Sequence, residues 1–152
     1  MDLRFDGKTI IVTGAGSGIG AATAEELASS GATVIVADLN LAHAEKIAAD
    51  IAAKGGKAHA VMVDVAKAES VKTMVEAAVA RTGALHGIVN NAGIGGPQAP
   101  TGDYDLSGWQ KVIDINLSGV FYGMRFAIPE IAKAGGGAVV NVASILGSVG
   151  FA

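Results

Sequence analysis

The sequence has 152 residues, which is enough for one domain with a sizeable core. Hydrophobic residues make up 51% of it, the formal net charge is −3 and no cysteine is present. These values argue against nucleic acid or an acidic membrane as a partner, and they exclude disulfides and thiolate metal sites. We find neither a secretory signal nor an apolar run long enough to span a membrane, and therefore expect a cytoplasmic protein.

Apolar strands alternate with helical patterns along the whole chain. The predicted strands are about 8–13, 33–37, 57–63, 85–89 and 138–142, and the predicted helices about 21–30, 41–54, 71–82 and 107–134. This alternation predicts an α/β protein, with a Rossmann-type, doubly wound parallel sheet in the order 3-2-1-4-5. We expect a single domain over residues 1–152, with ligand at the carboxyl ends of strands 1 and 4, where the winding reverses.

Local signals predict where helices and loops begin and end. Asn40 is a suitable cap for the second helix, and Ser107 with Gln110 has the spacing of a capping box for the fourth. Gly31 is expected just beyond the first helix. A Gly- and Pro-rich loop runs from Ile94 to about residue 106, and long loops of this kind often cover binding sites.

The turn between the first strand and the first helix predicts a dinucleotide site. Its residues are small, as they must be where a backbone turns sharply and lies against phosphates. The helix that follows directs unpaired N–H groups and the positive end of its dipole at an anion. A purely structural glycine turn is the alternative. The residues expected to contact the pyrophosphate are Gly14, Gly16, Ser17, Gly18, Ile19 and Gly20.

Asp38 ends the second predicted strand, 18 positions after Gly20. A carboxylate there accepts hydrogen bonds from a ribose diol and repels a 2′-phosphate. Neither Ser17 nor Leu39 supplies a compensating cation. The pattern therefore predicts NAD rather than NADP, whereas the alternative is a solvated aspartate in a turn.

Polar residues also follow the third and fourth strands. Asp64, with the amide of Val65, is positioned to meet the adenine amino group, although a capping or loop aspartate is an equal alternative. Asn90 and Asn91 are expected to link strand ends through their side-chain amides, unless they form a plain turn. The small residues that leave room for a ribose are Ala92 and Gly93.

Two further polar residues are candidates for catalysis. Asn116 interrupts an apolar helical stripe, so its amide either satisfies neighbouring backbone or holds a water in a relay. Ser144 follows the fifth strand, beside the expected nicotinamide position. The histidines lack metal-ligand spacing, so we predict no metal site and expect all three to be structural: His43, His59 and His86.

In order, these motifs resemble the classical short-chain dehydrogenase/reductase family. The resemblance implies hydride transfer between NAD and a secondary alcohol or ketone, with Ser144 and Asn116 in the catalytic machinery. It also implies a homo-oligomer, a dimer or tetramer, because the stripe with Val120, Phe121 and Met124 resembles the family's subunit-contact helix. The matching stretches are 13–20, Asp38, 64–65, 90–93, Asn116 and 141–144.

One family motif is missing. A Tyr-x-x-x-Lys motif is expected about a dozen residues after the serine, yet neither Tyr104 nor Tyr122 has a lysine four places later. Since an unassisted serine hydroxyl is far from titrating near neutral pH, Ser144 cannot replace that base. We expect the N-terminal, cofactor-binding portion of such an enzyme, with negligible turnover alone. The alternatives are a non-catalytic dinucleotide-binding module and a fragment that completes its fold with another chain.

Overall fold

A computed structural model describes residues 3–149, in which one sheet of parallel strands forms the centre. The strands are β1 (Thr9–Thr13), β2 (Thr33–Asp38), β3 (Lys57–Met62), β4 (Gly87–Asn90) and β5 (Ala138–Asn141). They lie in the order β3-β2-β1-β4-β5, and every neighbouring pair is parallel. The predicted α/β class, Rossmann-type sheet and strand order are confirmed.

Helices connect successive strands and cover both faces of the sheet. They are α1 (Gly18–Ser29), α2 (Leu41–Ala53), α3 (Ala68–Thr82), α4 (Leu106–Ile113) and α5 (Gly119–Lys133). A π-helical segment, Asp114–Ser118, joins α4 to α5 without a break. The single long helix predicted over 107–134 therefore contains a local widening at Asn116.

The core lies on both faces of the sheet because alternate strand residues point in opposite directions. Ile10 and Val12 of β1 pack with α1 and α2, whereas Ile11 between them packs with α3 and α5. All five residues of β1 are buried. Since both faces are covered, β1 is continuously apolar apart from its end threonines, and the carboxyl edge of the sheet stays free for a ligand.

The helix boundaries confirm two signals and correct a third. Asn40 caps α2, since its side chain accepts a hydrogen bond from the amide of His43. Gly31 follows α1 with a φ of +97°, which only glycine adopts readily. The capping box with Ser107 and Gln110 is wrong. Asp105 caps α4 instead, because its carboxylate accepts both the Ser107 hydroxyl and the Gly108 amide, and this lowers the pKa of Asp105.

The sheet is less enclosed at its β5 end. Val140 of β5 is 50% exposed, and a groove of about 300 Å³ runs over β4 and β5 on the face that α1 and α2 cover elsewhere. Phe5, Leu27 and Val89 are among its apolar lining residues. The half of the sheet around β1 and β2 is therefore packed on both faces, whereas the β5 half retains an open apolar surface.

Candidate functional site

The glycine turn folds tightly between β1 and α1. Gly14 has a φ of +62° and Gly18 a φ of +54°, both in the left-handed region. A Cβ on Gly20 would collide with the carbonyl oxygen of Gly14, so the first turn of α1 packs directly against the loop. Ser17 precedes α1 and makes no capping hydrogen bond through its side chain in the described structure. The N–H groups of the first helical turn therefore lack a side-chain partner there.

An open cavity of about 430 Å³ lies beside this turn, at the carboxyl edge of the sheet. The predicted cofactor-binding residues line it, with the exceptions of Gly16 and Asn90. Val63 and Ile115 line it as well. No sequence motif marks these two, because an apolar residue at the end of a strand or within a helix has no distinctive pattern. A groove of about 450 Å³ between α3 and α5 contains none of the motif residues.

Asp38 is fixed at the mouth of the cavity by backbone amides. Its Oδ2 atom accepts a hydrogen bond from the Gly16 amide at 2.8 Å, and its Oδ1 atom accepts one from the Asn40 amide at 2.9 Å. The amide of Ala15 also donates to the carbonyl of Ala37 at 3.0 Å. The glycine turn and the end of β2 are thus bonded together. Gly16, which does not line the cavity, orients the carboxylate that does.

Asp64 and Val65 line the cavity one strand further out. The Oδ1 atom of Asp64 accepts a hydrogen bond from the Ala66 amide at 3.1 Å, and Oδ2 forms an ion pair with Lys67 at 3.1 Å. The amide of Asp64 donates to the Ser70 hydroxyl at 3.0 Å. The carboxylate thus organises the turn before α3 and faces the cavity as well.

Thr13 and Asn91 connect the glycine turn to the end of β4. The buried Thr13 hydroxyl accepts hydrogen bonds from the amides of Asn91 and Ala92 at 3.0 and 3.1 Å. The Asn91 side chain donates to the carbonyls of Thr13 and Gly14 at 2.9 and 3.3 Å. Sequence reasoning gave Thr13 no role of its own. The available signal was a hydroxyl at the end of a buried strand, which needs partners there.

Asn90 lies behind the cavity rather than in it. Its side chain is buried and donates to the Oδ1 atom of Asn141 at 2.8 Å, so it links β4 to β5. A Cβ on Gly123 would collide with the Asn90 side chain, which shows how closely α5 packs here. Asn90 therefore supports the strand that leads to Ser144 and does not face the open space.

Asn116 holds the loop that follows β4. Its Oδ1 atom accepts a hydrogen bond from the Ile94 amide at 2.9 Å, and its Nδ2 atom donates to the Ile94 carbonyl at 2.8 Å. The side chain is exposed rather than buried. Asn116 was expected either to satisfy neighbouring backbone or to hold a water in a relay, and the structure shows the first of these.

Ser144 lies beyond β5, on the edge of the sheet that carries the cavity, and its side chain is exposed. The amide of Val142 donates to the Asn90 carbonyl at 3.0 Å, which extends the β4–β5 pairing towards Ser144. The Ser144 hydroxyl oxygen accepts a hydrogen bond from the Leu146 amide at 3.2 Å. Its own proton is then free to be donated to a second oxygen.

His86 makes a structural contact in this fold, whereas the structural roles of His43 and His59 stay predictions. The Nδ1 atom of His86 accepts a hydrogen bond from the Thr9 amide at 3.1 Å, and burial together with the nearby Lys8 lowers the pKa of His86. His43 lies in the capped first turn of α2, and His59 lies in β3. Across residues 3–149, no cluster of three or more His, Cys, Asp or Glu residues is arranged to hold a metal ion.

Comparison with known proteins identifies the family. Residues 8–152 match the sequence model described as short chain dehydrogenase. The chain belongs to the short-chain dehydrogenase family. Its structure is similar to the crystal structure of a hydroxysteroid dehydrogenase from Escherichia coli, with a TM-score of 0.89 and 34% identity over 94% of this chain and 60% of that one. The family resemblance expected from the motifs is confirmed.

Two curated members of the short-chain dehydrogenase family are similar along almost the whole chain. Cyclohexanol dehydrogenase from Acinetobacter sp. (strain SE19) is 49% identical over 150 residues. Cis-4-hydroxycyclohexanecarboxylate dehydrogenase from Sinomonas cyclohexanicum is 43% identical over 150 residues. Each match covers 99% of this chain but 60% of the relative. The chain thus spans 60% of the length of these two relatives, and this share fits the expectation that it corresponds to a portion of such a protein.

None of the described helices is long and apolar enough to cross a membrane.

Proposed function

We propose that this chain binds NAD and forms the cofactor-binding part of a dehydrogenase that interconverts a secondary alcohol and its ketone. One observation carries the proposal. The Asp38 carboxylate is held by the Gly16 amide at the mouth of an open cavity whose floor is the glycine turn. A ribose diol fits such a carboxylate, and a pyrophosphate fits the bare amides beside it.

The glycine turn is proposed to bind the pyrophosphate. A Cβ on Gly14 would collide with the backbone of Ala92, and one on Gly20 would collide with the Gly14 carbonyl. The Ser17 side chain does not cap the N-terminus of α1 in the described structure. An anion at this point receives N–H groups and the positive end of the α1 dipole. The residues that would hold it are Gly14, Ser17, Gly18, Ile19 and Gly20, while Gly16, which was also predicted to contact it, positions Asp38 instead.

NAD is proposed in preference to NADP because of charge. The charged residues that line the cavity are Asp38 and Asp64, and no Lys or Arg is among the described lining residues. A 2′-phosphate beside Asp38 would meet a like charge without a cation to compensate it. Leu39, which follows Asp38, is apolar and 68% exposed, so it offers a surface for the adenine ring instead.

The two ends of the cavity are proposed to bind different parts of NAD. Asp64 and Val65 are proposed to contact the adenine. Ala92 and Gly93 are proposed to lie against the nicotinamide-side ribose, with Asn90 supporting the strand behind them. When bound, NAD supplies the hydride acceptor for alcohol oxidation.

Ser144 and Asn116 are proposed as catalytic residues of the parent protein. The Ser144 hydroxyl proton is free to be donated to the substrate oxygen, because its oxygen already accepts from Leu146. Asn116 holds the loop at Ile94 by two hydrogen bonds, and a role in a water relay remains a proposal. Alcohol oxidation also requires a base for the hydroxyl proton, and neither residue has a suitable pKa.

A second candidate function is a dinucleotide-binding module without catalysis, which would require no base. The sequence segments next to Ser144 contain no titratable side chain from residue 134 to residue 149. Nucleotide binding that occurs without alcohol turnover in the natural gene product would favour this module.

We further propose a single domain, a cytoplasmic location and a homo-oligomer in which the stripe with Val120, Phe121 and Met124 contacts a second copy.

Isothermal titration with NAD⁺ and NADP⁺ tests the proposed cofactor. We expect NAD⁺ to bind at least about tenfold more tightly than NADP⁺, because the like-charge contact costs at least about 1.4 kcal/mol. Asp38→Asn removes the charge with little change of shape, so the preference should narrow to about threefold or less. Asp50→Asn is the matched control, since Asp50 lies on α2 in a surface pair with Lys46. Equal affinities in the unsubstituted chain would overturn the role of Asp38.

A further inference from the structure

A polar cavity lies at the opposite end of the strands from the glycine turn. It has a volume of about 510 Å³ and opens at the amino edge of the sheet, where β1, β2 and β3 begin. The five residues of β1 separate it from the cavity beside the glycine turn, a distance of about 15 Å along the strand. A ligand held here would therefore occupy a different place from a nucleotide.

The parallel register places three polar side chains in one row across the start of the sheet. Thr9 of β1 pairs with Thr33 of β2, and Thr33 pairs with Lys57 of β3. Side chains two residues apart on a strand share a face. Since Ile11 and Ile35 pack on the α3 side of the sheet, Thr9 and Thr33 face that side as well. Neither threonine hydroxyl makes a hydrogen bond within residues 3–149.

Two further basic side chains reach the same cavity. His59 lies two positions after Lys57, and Val61, two positions later again, packs on the α3 side. Arg81 stands in the last turn of α3, the helix that covers this face. All three basic residues line the cavity together with the two threonines. The starts of three strands and the end of one helix therefore bring three basic side chains and two hydroxyl groups to one place.

These basic side chains lack acidic partners. No Asp or Glu is among the described residues that line the cavity. Lys57, His59 and Arg81 form neither an ion pair nor a side-chain hydrogen bond within residues 3–149. The carboxylate that Lys57 influences is that of Asp6, which is already paired with Arg4 at 2.8 Å, and the Arg4 hydrogen bond is the main cause that lowers the pKa of Asp6. Positive charge without a counter-charge attracts an anion.

Helix dipoles do not account for all of this charge. Arg81 lies in the last turn of α3, where the negative end of the dipole stabilises a cation. Lys57 and His59 stand on a strand, however, and a β-sheet has little net dipole to offset. The two strand residues therefore need another explanation, and an anionic ligand supplies it.

We propose that this cavity binds a small phosphoryl dianion, either inorganic phosphate or a phosphate monoester. Arg81 offers a planar fork of donors for two oxygens, and Lys57 offers a point charge. The hydroxyls of Thr9 and Thr33 and a ring nitrogen of His59 are further donors. The two permanent positive charges match the charge of a dianion. This site is separate from the proposed NAD site and does not depend on it.

The test follows histidine ring signals by NMR while inorganic phosphate is added, at about pH 7.5, to the natural gene product in its full length. His59 reports on this cavity, whereas His43 reports on the glycine turn, because a Cβ on Gly16 would collide with the His43 side chain. We expect a saturable shift of the His59 signals with a Kd below about 10 mM. His59 signals that stay fixed, or that move without saturating, would overturn the proposal. Since the two histidines report separately, failure of the NAD proposal would leave this test unaffected.

Charge removal at the cavity tests which groups bind the anion. Lys57→Gln and Arg81→Gln should each weaken phosphate binding at least about fivefold. Lys111→Gln is the matched control, since Lys111 is exposed on α4 and has no ion pair within residues 3–149, and it should change the Kd less than about twofold. If Lys57→Gln and Arg81→Gln lower stability in urea but leave the Kd unchanged, the basic groups serve the fold alone and the proposal is wrong.

Two further probes test the phosphoryl chemistry. Glycerol 3-phosphate presents the same group as an ester, so tighter binding of the ester would assign the site to a phosphorylated metabolite, and tighter binding of inorganic phosphate would assign it to the free ion. Acetate has one charge and two oxygens, and it should bind at least about fivefold more weakly than the tighter of the two. Equal affinity for acetate would overturn selection of a phosphoryl dianion.

Discussion

The two halves of the sheet differ in how completely this chain encloses them. Around β1 and β2, helices cover both faces, and the side chains of Asp38 and Asn91 are each bonded to backbone groups of the glycine turn. Around β5, Val140 and Val142 are exposed, and the Ser144 side chain has one hydrogen-bond partner among the described residues. We therefore expect nucleotide recognition to depend on contacts made within the chain, and catalysis to require groups that the described residues around Ser144 do not supply.

The largest expected effect separates the two halves functionally. The purified 152-residue chain should bind NAD⁺ yet oxidise cyclohexanol at least about 100-fold more slowly than an intact relative, since loss of a general base alone costs about 100- to 10,000-fold. Absorbance at 340 nm measures turnover, and calorimetry measures binding on the same sample. Cyclohexanol dehydrogenase from Acinetobacter is the positive control. Turnover comparable to that control would contradict the division of labour between the halves.

A substitution in the glycine turn should disable the enclosed half. In Gly20→Ala, the new Cβ would collide with the Gly14 carbonyl, and α1 would have to move away from the turn. We expect destabilisation of about 1–3 kcal/mol and at least about a tenfold loss of NAD⁺ affinity.

Gly102→Ala is the matched control for that variant, because no heavy atom lies within 4 Å of the position its Cβ would occupy. Urea unfolding and calorimetry measure the two effects. If Gly20→Ala and Gly102→Ala behave alike, close packing of α1 on the turn is not required for the site.

Loss of the Thr13 hydroxyl, which links the end of β1 to the end of β4, should have an intermediate effect. Thr13→Val keeps the shape of the side chain but removes the oxygen that accepts from the Asn91 and Ala92 amides. Because these amides lose a partner at a partly buried site, we expect a cost of about 1–3 kcal/mol in urea unfolding. Thr73→Val, on the exposed face of α3, should cost less than about 0.5 kcal/mol. Equal costs would remove Thr13 from the link.

The smallest effect is a pH dependence next to β4. Burial lowers the pKa of His86 below its ordinary value of 6.5, and Nδ1 must be unprotonated to accept from the Thr9 amide. The stability that depends on the neutral ring is therefore complete above pH 6.5 and is lost as the pH falls below it. Urea unfolding at several pH values should show this decline, and His86→Gln should flatten it. His43→Gln, on α2, serves as the control, and a decline that survives in His86→Gln would contradict the assignment.

Motifs with a fixed backbone requirement were predictable from the sequence. The glycine turn needs small residues and follows a buried strand, so its position and the strand order follow from general rules. Asp38 is predictable for the same reason, since it ends the strand next to that turn. These features depend on short sequence separations and on the known handedness of parallel connections.

Features that depend on long-range side-chain contacts were not predictable. The role of Thr13 comes from its contact with Asn91, which is 78 positions away in the sequence. The partner of the Asn116 side chain likewise depends on where the loop at Ile94 lies. The cap of α4 was misassigned because Ser107 and Asp105 are both good caps, and in the structure the Asp105 carboxylate accepts from both the Ser107 hydroxyl and the Gly108 amide. Sequence spacing cannot rank such competing acceptors.

The π-helical segment between α4 and α5 fixes the rotational phase of α5. If residues 114–118 wound as regular α-helix with no change in their number, α5 would be rotated by about 100° relative to α4, because the extra residue would no longer be absorbed in the wider turn. Ala127 and Ile131, which α5 buries against the sheet, would then turn away from β4 unless α4 turned instead and carried its side of the Ile94 anchor with it. The extra residue in this segment therefore allows two contacts to be satisfied at once. These are the packing of α5 against the sheet and the hydrogen bonds that hold the loop at Ile94.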